Sequence, residues 1–138
     1  MKKLHWALLL NALCVGTSFA ACGDTLPTAG RQLLEQTGVQ LSYAPQGGKL
    51  PLGRHFALDI EVCAVAGSAR PALLRVDADM PAHRHGMNYR ATVQAQSPGR
   101  YVSQGLMFHM PGRWRLLFDL AGAEGRGPQR LSHEITVE

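Results

Sequence analysis

The stretch Phe56-Ala-Leu-Asp-Ile-Glu-Val-Cys63 decides the fold. Large apolar side chains occupy every second position, and Asp59 and Glu61 stand between them. Residues two apart in an extended chain point to the same face, so this pattern predicts a half-buried strand with its acidic residues outward.

Similar alternations recur along the chain and are separated by Gly and Pro clusters such as Ser97-Pro-Gly99. The further predicted strands cover residues 39–43, 73–78, 89–94, 101–109, 114–120 and 131–137. About seven strands spaced by turns indicate an all-β fold, an antiparallel β-sandwich of immunoglobulin-like type. A small closed barrel is the alternative.

Residues 1–20 match the three parts of an export signal. Lys2 and Lys3 give a positive start, residues 4–15 give a mostly apolar run, and Thr17-Ser-Phe-Ala20 gives a cleavage region of small residues. We predict a signal peptide at 1–20 and therefore an exported, periplasmic protein. The same region also resembles a bacterial lipoprotein signal, in which a lipid on Cys22 would anchor the protein to a membrane.

Two cysteines, Cys22 and Cys63, remain once the leader is removed. An even pair in an oxidising compartment predicts a disulfide that ties the N-terminus to the core. A lipidated Cys22 would exclude this bridge, and Cys63 would also fit a free thiol buried at the end of its strand. The sequence leaves these three interpretations open.

The remaining chain of about 118 residues is long enough for one domain with a modest core. We divide it into an N-terminal arm with the first strand at 21–50 and a β-sandwich domain at 51–138. The formal charge is +4, but the arginines are scattered and form no basic run with interleaved aromatics, which argues against nucleic-acid binding. No second apolar stretch is long enough to cross a membrane.

Two short stretches concentrate histidine and methionine. The first is Met80-Pro-Ala-His-Arg-His-Gly-Met87 and the second is Met107-Phe-His-Met-Pro-Gly112. Together they hold all four methionines and three of the five histidines outside the leader. Thioether sulfur beside imidazole nitrogen is the ligand mixture that suits copper, and Cu(I) in particular.

Strand parity selects the candidate ligands. In an extended chain, His83, His85 and Met87 project to one side. At the second stretch, Leu106 and Phe108 share one face and are expected to belong to the core, which leaves Met107 and His109 on the other face. If the two stretches meet, these five residues form a metal site for Cu(I), and Cu(II) would rely on the histidines.

Other residues and reactions fit less well. Asp77 and Asp79 are candidates to orient His83 or His85 through a ring N–H, and the alternative is that they are solvated strand-end carboxylates. Zinc is a weaker candidate than copper because no Cys or carboxylate stands beside these histidines. We expect no enzyme, since neither a Gly-X-Ser-X-Gly elbow nor a base beside an open metal position is present.

A longer pair of motifs carries a family resemblance. The sequence Asp77-Ala-Asp-Met-Pro-Ala-His-Arg-His-Gly-Met-Asn-Tyr89, followed by Gly105-Leu-Met-Phe-His-Met-Pro-Gly-Arg-Trp-Arg115, resembles the YtkA-like family of small exported bacterial domains. The resemblance covers Leu52 to Val137. It implies a single immunoglobulin-type sandwich and a role in copper handling or in the assembly of respiratory oxidases.

The sequence therefore predicts an exported protein that carries or buffers copper and exchanges it with a membrane or periplasmic metalloprotein. The alternative is an accessory module of an envelope complex, for example in oxidase assembly, that docks a protein partner without metal.

Overall fold

The computed structural model describes residues 20–123 and 125–138, so the predicted leader lies outside the described residues except for Ala20. The described residues form nine strands: β1 (Gln32–Gln36), β2 (Val39–Pro45), β3 (Phe56–Ala64), β4 (Leu73–Met80), β5 (His85–Gly86), β6 (Thr92–Ser97), β7 (Arg100–Leu106), β8 (Gly112–Leu120) and β9 (Gln129–Val137). A 3₁₀ turn, Pro81–His83, joins β4 to β5. Within these ranges, no helix has the length and apolar character needed to cross a bilayer.

The strands form two antiparallel sheets. One has the order β1-β2-β3-β7-β6 and the other has the order β5-β4-β8-β9. The predicted antiparallel β-sandwich is confirmed, with nine strands in the described ranges where about seven were predicted. Each sheet keeps its own edge strands, so the sheets do not close into a barrel.

The sequence did not predict β1 and β5. β1 pairs along its whole length with β2, but its residues are mostly exposed and show no apolar alternation. β5 has two residues, which is too short for any period. β7 also ends at Leu106 rather than at His109, directly after Gly105, whose φ of 85° lies outside the range of a strand.

The quoted stretch supplies the inner face of the five-stranded sheet. Leu58, Ile60 and Val62 are at most 1% exposed, while Asp59 and Glu61 between them are half-buried. The facing sheet contributes alternate residues of β8 that are equally buried: Trp114, Leu116, Phe118 and Leu120. Burial of one such side chain stabilises the fold by about 1.5–3 kcal/mol, so these two rows define the core.

The chain after β7 folds over one end of this core. Phe108 is fully buried and forms an isolated bridge with Leu52. The N–H of Gly53 donates to the Phe108 carbonyl at 2.8 Å, and the Phe108 ring lies 5.0 Å from that of Phe56. The prediction that Leu106 and Phe108 belong to the core is confirmed.

A disulfide joins Cys22 to Cys63, with their Cα atoms 5.9 Å apart. It fastens the segment before β1 to the end of β3. The N–H of Gly23 donates to the Glu61 carboxylate at 3.0 Å, and Arg31 donates to the Gly23 carbonyl at 2.7 Å. The predicted pairing is confirmed, and it uses the Cys22 sulfur that a lipid anchor would need.

Removing the disulfide should destabilise the fold. The bridge joins residues 41 apart in the sequence. Because a cross-link of this separation restricts the unfolded chain, we expect the variant Cys22→Ser, Cys63→Ser to lose roughly 2–4 kcal/mol of unfolding free energy. Urea unfolding measures the loss, and a double variant as stable as the parent would contradict the structural role of the bridge.

A buried polar pair links the two sheets. Tyr43 of β2 is 1% exposed, and its hydroxyl lies 2.8 Å from Nδ1 of His133 in β9. The hydroxyl donates to this nitrogen when the imidazole carries its proton on Nε2. Burial lowers the pKa of His133 and raises the pKa of Tyr43, so both groups are neutral at neutral pH.

The lowered pKa of His133 predicts a loss of stability in acid. Below about pH 6.5, the usual pKa of imidazole, the unfolded chain binds a proton at this residue that the folded chain does not. Protons therefore favour unfolding until the pH falls below the pKa of the folded state. Urea midpoints should decline less steeply with acid in His133→Gln than in the parent, and equal slopes would contradict the buried neutral ring.

Candidate metal centre

A tight turn carries the first histidine-bearing stretch. Met80 is extended, as a residue before proline should be, and Pro81 begins the 3₁₀ turn. Arg84 ends this turn in the left-handed conformation, with φ 54°, and its N–H donates to the Pro81 carbonyl at 3.3 Å. The prediction of an extended chain through His83 is therefore wrong, because the fixed φ of proline also suits the first position of a helical turn.

β5 then returns the chain antiparallel to β4. His85 lies directly opposite Met80, and the N–H of Met87 donates to the Ala78 carbonyl at 3.1 Å. Residues opposite each other in such a pair place their side chains on the same face. His85 is thus on the face of the buried Met80 and is itself half-buried, whereas His83 on the turn is exposed.

Three histidine rings lie side by side where the two stretches meet. The ring centroid of His85 is 5.7 Å from that of His83 and 5.2 Å from that of His109. We call these three residues the histidine cluster. His85 is its central member, because both other rings contact it.

Trp114 forms the floor of the histidine cluster. Its side chain is 1% exposed, and its ring lies 5.3 Å from His109, edge to face, and 6.0 Å from His85. Its Nε1–H donates to the Met110 carbonyl at 3.0 Å. The ligand set predicted from the sequence does not include Trp114. The sequence feature that could have identified Trp114 is its position just after the Pro111-Gly112 turn, at the start of a strand with alternating apolar residues.

The ring nitrogens of the cluster differ in their partners. Nδ1 of His85 lies 3.1 Å from the Gly86 carbonyl, and when it donates to that oxygen, Nε2 keeps the lone pair that a metal ion needs. Nδ1 of His109 is buried without a hydrogen-bond partner, a condition shared among the described side chains only by Ser103 Oγ. An unpartnered buried polar atom costs about 1–3 kcal/mol, which a metal ligand bond would offset.

The spacing of each neighbouring pair of rings, His83 with His85 and His85 with His109, fits two imidazoles that share a metal ion. Metal–nitrogen bonds of about 2.0–2.1 Å at tetrahedral or trigonal angles place ring centroids roughly 5–6 Å apart. The described residues nevertheless contain no group of three or more His, Cys, Asp or Glu side chains already arranged to hold a metal ion. Ligation by all three histidines would therefore require at least one of their side chains to rotate about its own torsions.

The methionines take different positions around the cluster. Met80 is 1% exposed and belongs to the core, and Met110 packs against the core from the turn before β8. Met107 is half-buried between β7 and that turn. Met87 also packs against the core and lines a cleft beside β4. The two predicted sulfur ligands, Met87 and Met107, are therefore both partly accessible.

Arginines engage the two carboxylates that were candidates to orient the histidines. Asp79 accepts two hydrogen bonds from Arg115, at 3.0 and 2.7 Å, and this contact raises the pKa of Arg115. Asp77 forms an ion pair with Arg75. Both carboxylates thus form ion pairs on the four-stranded sheet. This favours the alternative interpretation, that they are strand-end carboxylates, over a role in orienting His83 or His85.

Comparisons with known proteins inform the fold. No family model and no curated protein sequence matches the chain. A crystal structure of a DUF4426 family protein from Pseudomonas aeruginosa PAO1 is similar, with a TM-score of 0.54 at 10% identity over 80% of this chain and 96% of that chain. This similarity supports the sandwich architecture alone, and the resemblance to the YtkA-like family stays a prediction.

The left-handed turn at Arg84 makes a prediction about stability. Glycine adopts this φ without strain, but it loses more conformational entropy on folding than arginine does. Because these two effects, each of about 1 kcal/mol, oppose each other, Arg84→Gly should change the free energy of unfolding little. Valine is β-branched, so Arg84→Val should lose roughly 1–2 kcal/mol. Urea unfolding of both variants provides the measurement. Equal losses would show that the left-handed conformation is not required.

Proposed function

We propose that this protein is an exported copper-binding protein that carries or buffers the metal through the histidine cluster. The observation that carries the proposal is the placement of His85 between His83 and His109, with ring centroids 5.7 and 5.2 Å away. The unpartnered buried nitrogen of His109 supports it, because a metal ion would satisfy that atom.

The three histidines have different parts in this proposal. His109 and His85 contact Trp114, which restricts the rotation of both rings. His83 is exposed on the turn and is the ring with most freedom to move. His85 and His109 are therefore the fixed ligand pair, and His83 is the ligand that closes over the metal.

The thioether groups favour copper over zinc. Met87 and Met107 are the proposed sulfur ligands, and a mixture of nitrogen and thioether sulfur suits Cu(I). Cu(II) would rely on the three nitrogens. Zinc is a weaker candidate, because its protein sites use Cys, His and carboxylate ligands, and the carboxylates nearest in sequence are held by arginines.

An exposed ligand suits a carrier. Copper passes between proteins by exchange of one ligand at a time, and His83 is the ligand that an incoming group reaches first. Methionine assists this exchange because its side chain is flexible and polarisable. We propose that the partner is a membrane or periplasmic metalloprotein, a role that membership of the YtkA-like family would fit.

The proposed location is the periplasm. The leader-like sequence at residues 1–20 supports it, and so does the disulfide between Cys22 and Cys63. Disulfides form and persist in oxidising compartments and are rare in the cytosol.

One observation favours the second candidate function, an accessory module that works without metal. No group of three or more metal-binding side chains is already arranged in residues 20–123 and 125–138. The histidine cluster would then be part of a docking face for a protein of an envelope complex, for example in oxidase assembly.

Copper affinity distinguishes the two functions. We expect His85→Ala, His109→Ala to weaken Cu(I) binding at least about tenfold, since it removes the fixed ligand pair. Competition with a chromogenic chelator measures the affinity. His55→Ala is the matched control, because the His55 ring packs on Tyr89 outside the cluster and its loss should leave affinity unchanged.

Tryptophan fluorescence provides an independent readout. Trp114 is the only tryptophan outside the predicted leader, and it lies within 6.0 Å of two cluster rings. Bound copper should therefore quench its emission at the stoichiometric point. Equal copper affinity in the parent and the double variant would reject the proposed site, and urea midpoints would show whether the variant is folded.

A further inference from the structure

Three loop segments meet at the end of the sandwich that carries the histidine cluster. The N–H of Gly53 donates to the Phe108 carbonyl, and the His55 ring lies 4.8 Å from that of Tyr89. The ring of His85 lies 5.2 Å from that of His109. We call residues 50–56, 81–91 and 107–112 the histidine end. These segments contain three arginines and no aspartate or glutamate.

The three arginines of the histidine end lack partners. Arg54, Arg84 and Arg90 are exposed, and within the described ranges none of their guanidinium groups makes a hydrogen bond or an ion pair. We call these three residues the basic rim. Four arginines elsewhere in the fold are each held by a carboxylate: Arg75, Arg113, Arg115 and Arg130.

The acidic groups nearest the histidine end do not neutralise the basic rim. Glu134 accepts a hydrogen bond from Arg113 at 2.5 Å, and Asp79 is bound by Arg115. Glu138 directly follows Val137, which pairs with Gly112 of the histidine end, but no ion pair joins its carboxylate to the rim within the described ranges. In the part of the chain that the structure describes, no carboxylate is paired with the rim, so its three arginines present positive charge beside the histidine cluster.

We propose that the basic rim docks a carboxylate-rich segment of the protein that exchanges copper with this chain. Arginine presents a planar fork of donors that matches a carboxylate in two parallel hydrogen bonds. Complementary charge also raises the rate of encounter and fixes the orientation of two partners. The inference rests on the proposed function for what is exchanged, whereas the docking itself depends only on the charges.

A protein segment fits this surface better than a membrane. Recognition of an anionic lipid surface generally uses clusters of about 4–8 Lys and Arg residues, and the rim has three arginines and no lysine. Two exposed apolar side chains, Leu52 at 37% and Tyr89 at 43%, lie among them. Aromatic residues and arginine together are typical of protein interfaces.

A cleft beside the rim offers room for a partner side chain. Its volume is about 340 Å³, and Met87, Tyr89 and Arg90 line it together with the Arg75–Asp77 ion pair. A carboxylate that entered this cleft would meet Arg90 next to one of the proposed sulfur ligands. Docking and copper exchange would then occur on the same side of the cluster.

Two synthetic peptides test the docking. Both contain the same three methionines, and one has six Asp and Glu residues where the other has Asn and Gln. We expect the metal-free parent protein to bind the acidic peptide about tenfold more tightly than the amide peptide at low salt, since three exposed charge pairs contribute modestly each. Fluorescence anisotropy of labelled peptide gives both affinities, and the preference should fall as salt rises.

Two variants with the same net charge locate the effect. The rim variant is Arg54→Gln, Arg84→Asn, Arg90→Gln, in which asparagine tolerates the left-handed turn. The control variant is Arg70→Gln, Arg100→Gln, Arg126→Gln. It removes three arginines from the other end of the sandwich, where β3 ends and β7 begins. The rim variant should lose the preference, and the control should keep it. Equal behaviour of the two variants, or no preference in the parent, would overturn the proposal.

The remaining outcomes are also decisive. If phosphatidylserine vesicles bind the parent through the same three arginines and the acidic peptide does not, the surface recognises lipid and the proposal is wrong. Failure of the proposed function is distinguishable, because copper affinity is measured without peptide. Copper affinity that does not depend on the histidine cluster would reject the copper proposal. A preference for the acidic peptide that depends on the basic rim would still support the docking surface.

Discussion

The packing of Trp114 against Phe108 is the contact on which the organisation of this protein depends. The two ring centroids are 5.1 Å apart, and both side chains are at most 1% exposed. Phe108 ties the chain after β7 to Leu52, while Trp114 holds the Met110 carbonyl and supports two histidine rings. Aromatic pairs of this kind contribute about 0.5–1.5 kcal/mol beyond their buried area. A core contact thus positions polar side chains that could not hold one another in place.

Much of the fold follows from the sequence because apolar alternation is a direct consequence of strand geometry. β3 and β8 show it clearly, since each has one face in the core. β1 escaped prediction because it is a polar edge strand whose residues gain little from burial. The residue types of the candidate site were also visible in the sequence. Their arrangement was not, because the left-handed Arg84 and the edge-to-face support from Trp114 depend on tertiary contacts that no local period reports.

The proposed copper site is only partly organised in advance. Trp114 supports His85 and His109, whereas His83 is exposed on its turn. Ordering one further side chain costs about 0.5–1.5 kcal/mol, so a loosely held third ligand lowers affinity modestly. In the proposed carrier the same looseness would speed release of the metal, which such a protein needs as much as capture. The basic rim would act at an earlier step, because charge governs encounter while the cluster governs retention.

The disulfide between Cys22 and Cys63 has a consequence beyond the stability of the N-terminal segment. A cysteine thiolate is a softer ligand than either imidazole or thioether, and free thiolates would capture Cu(I) ahead of both. Both cysteines of the described chain are consumed in the bridge. In residues 20–123 and 125–138, oxidation therefore removes the thiolates that would compete for a soft cation with the proposed copper site at the other end of β3.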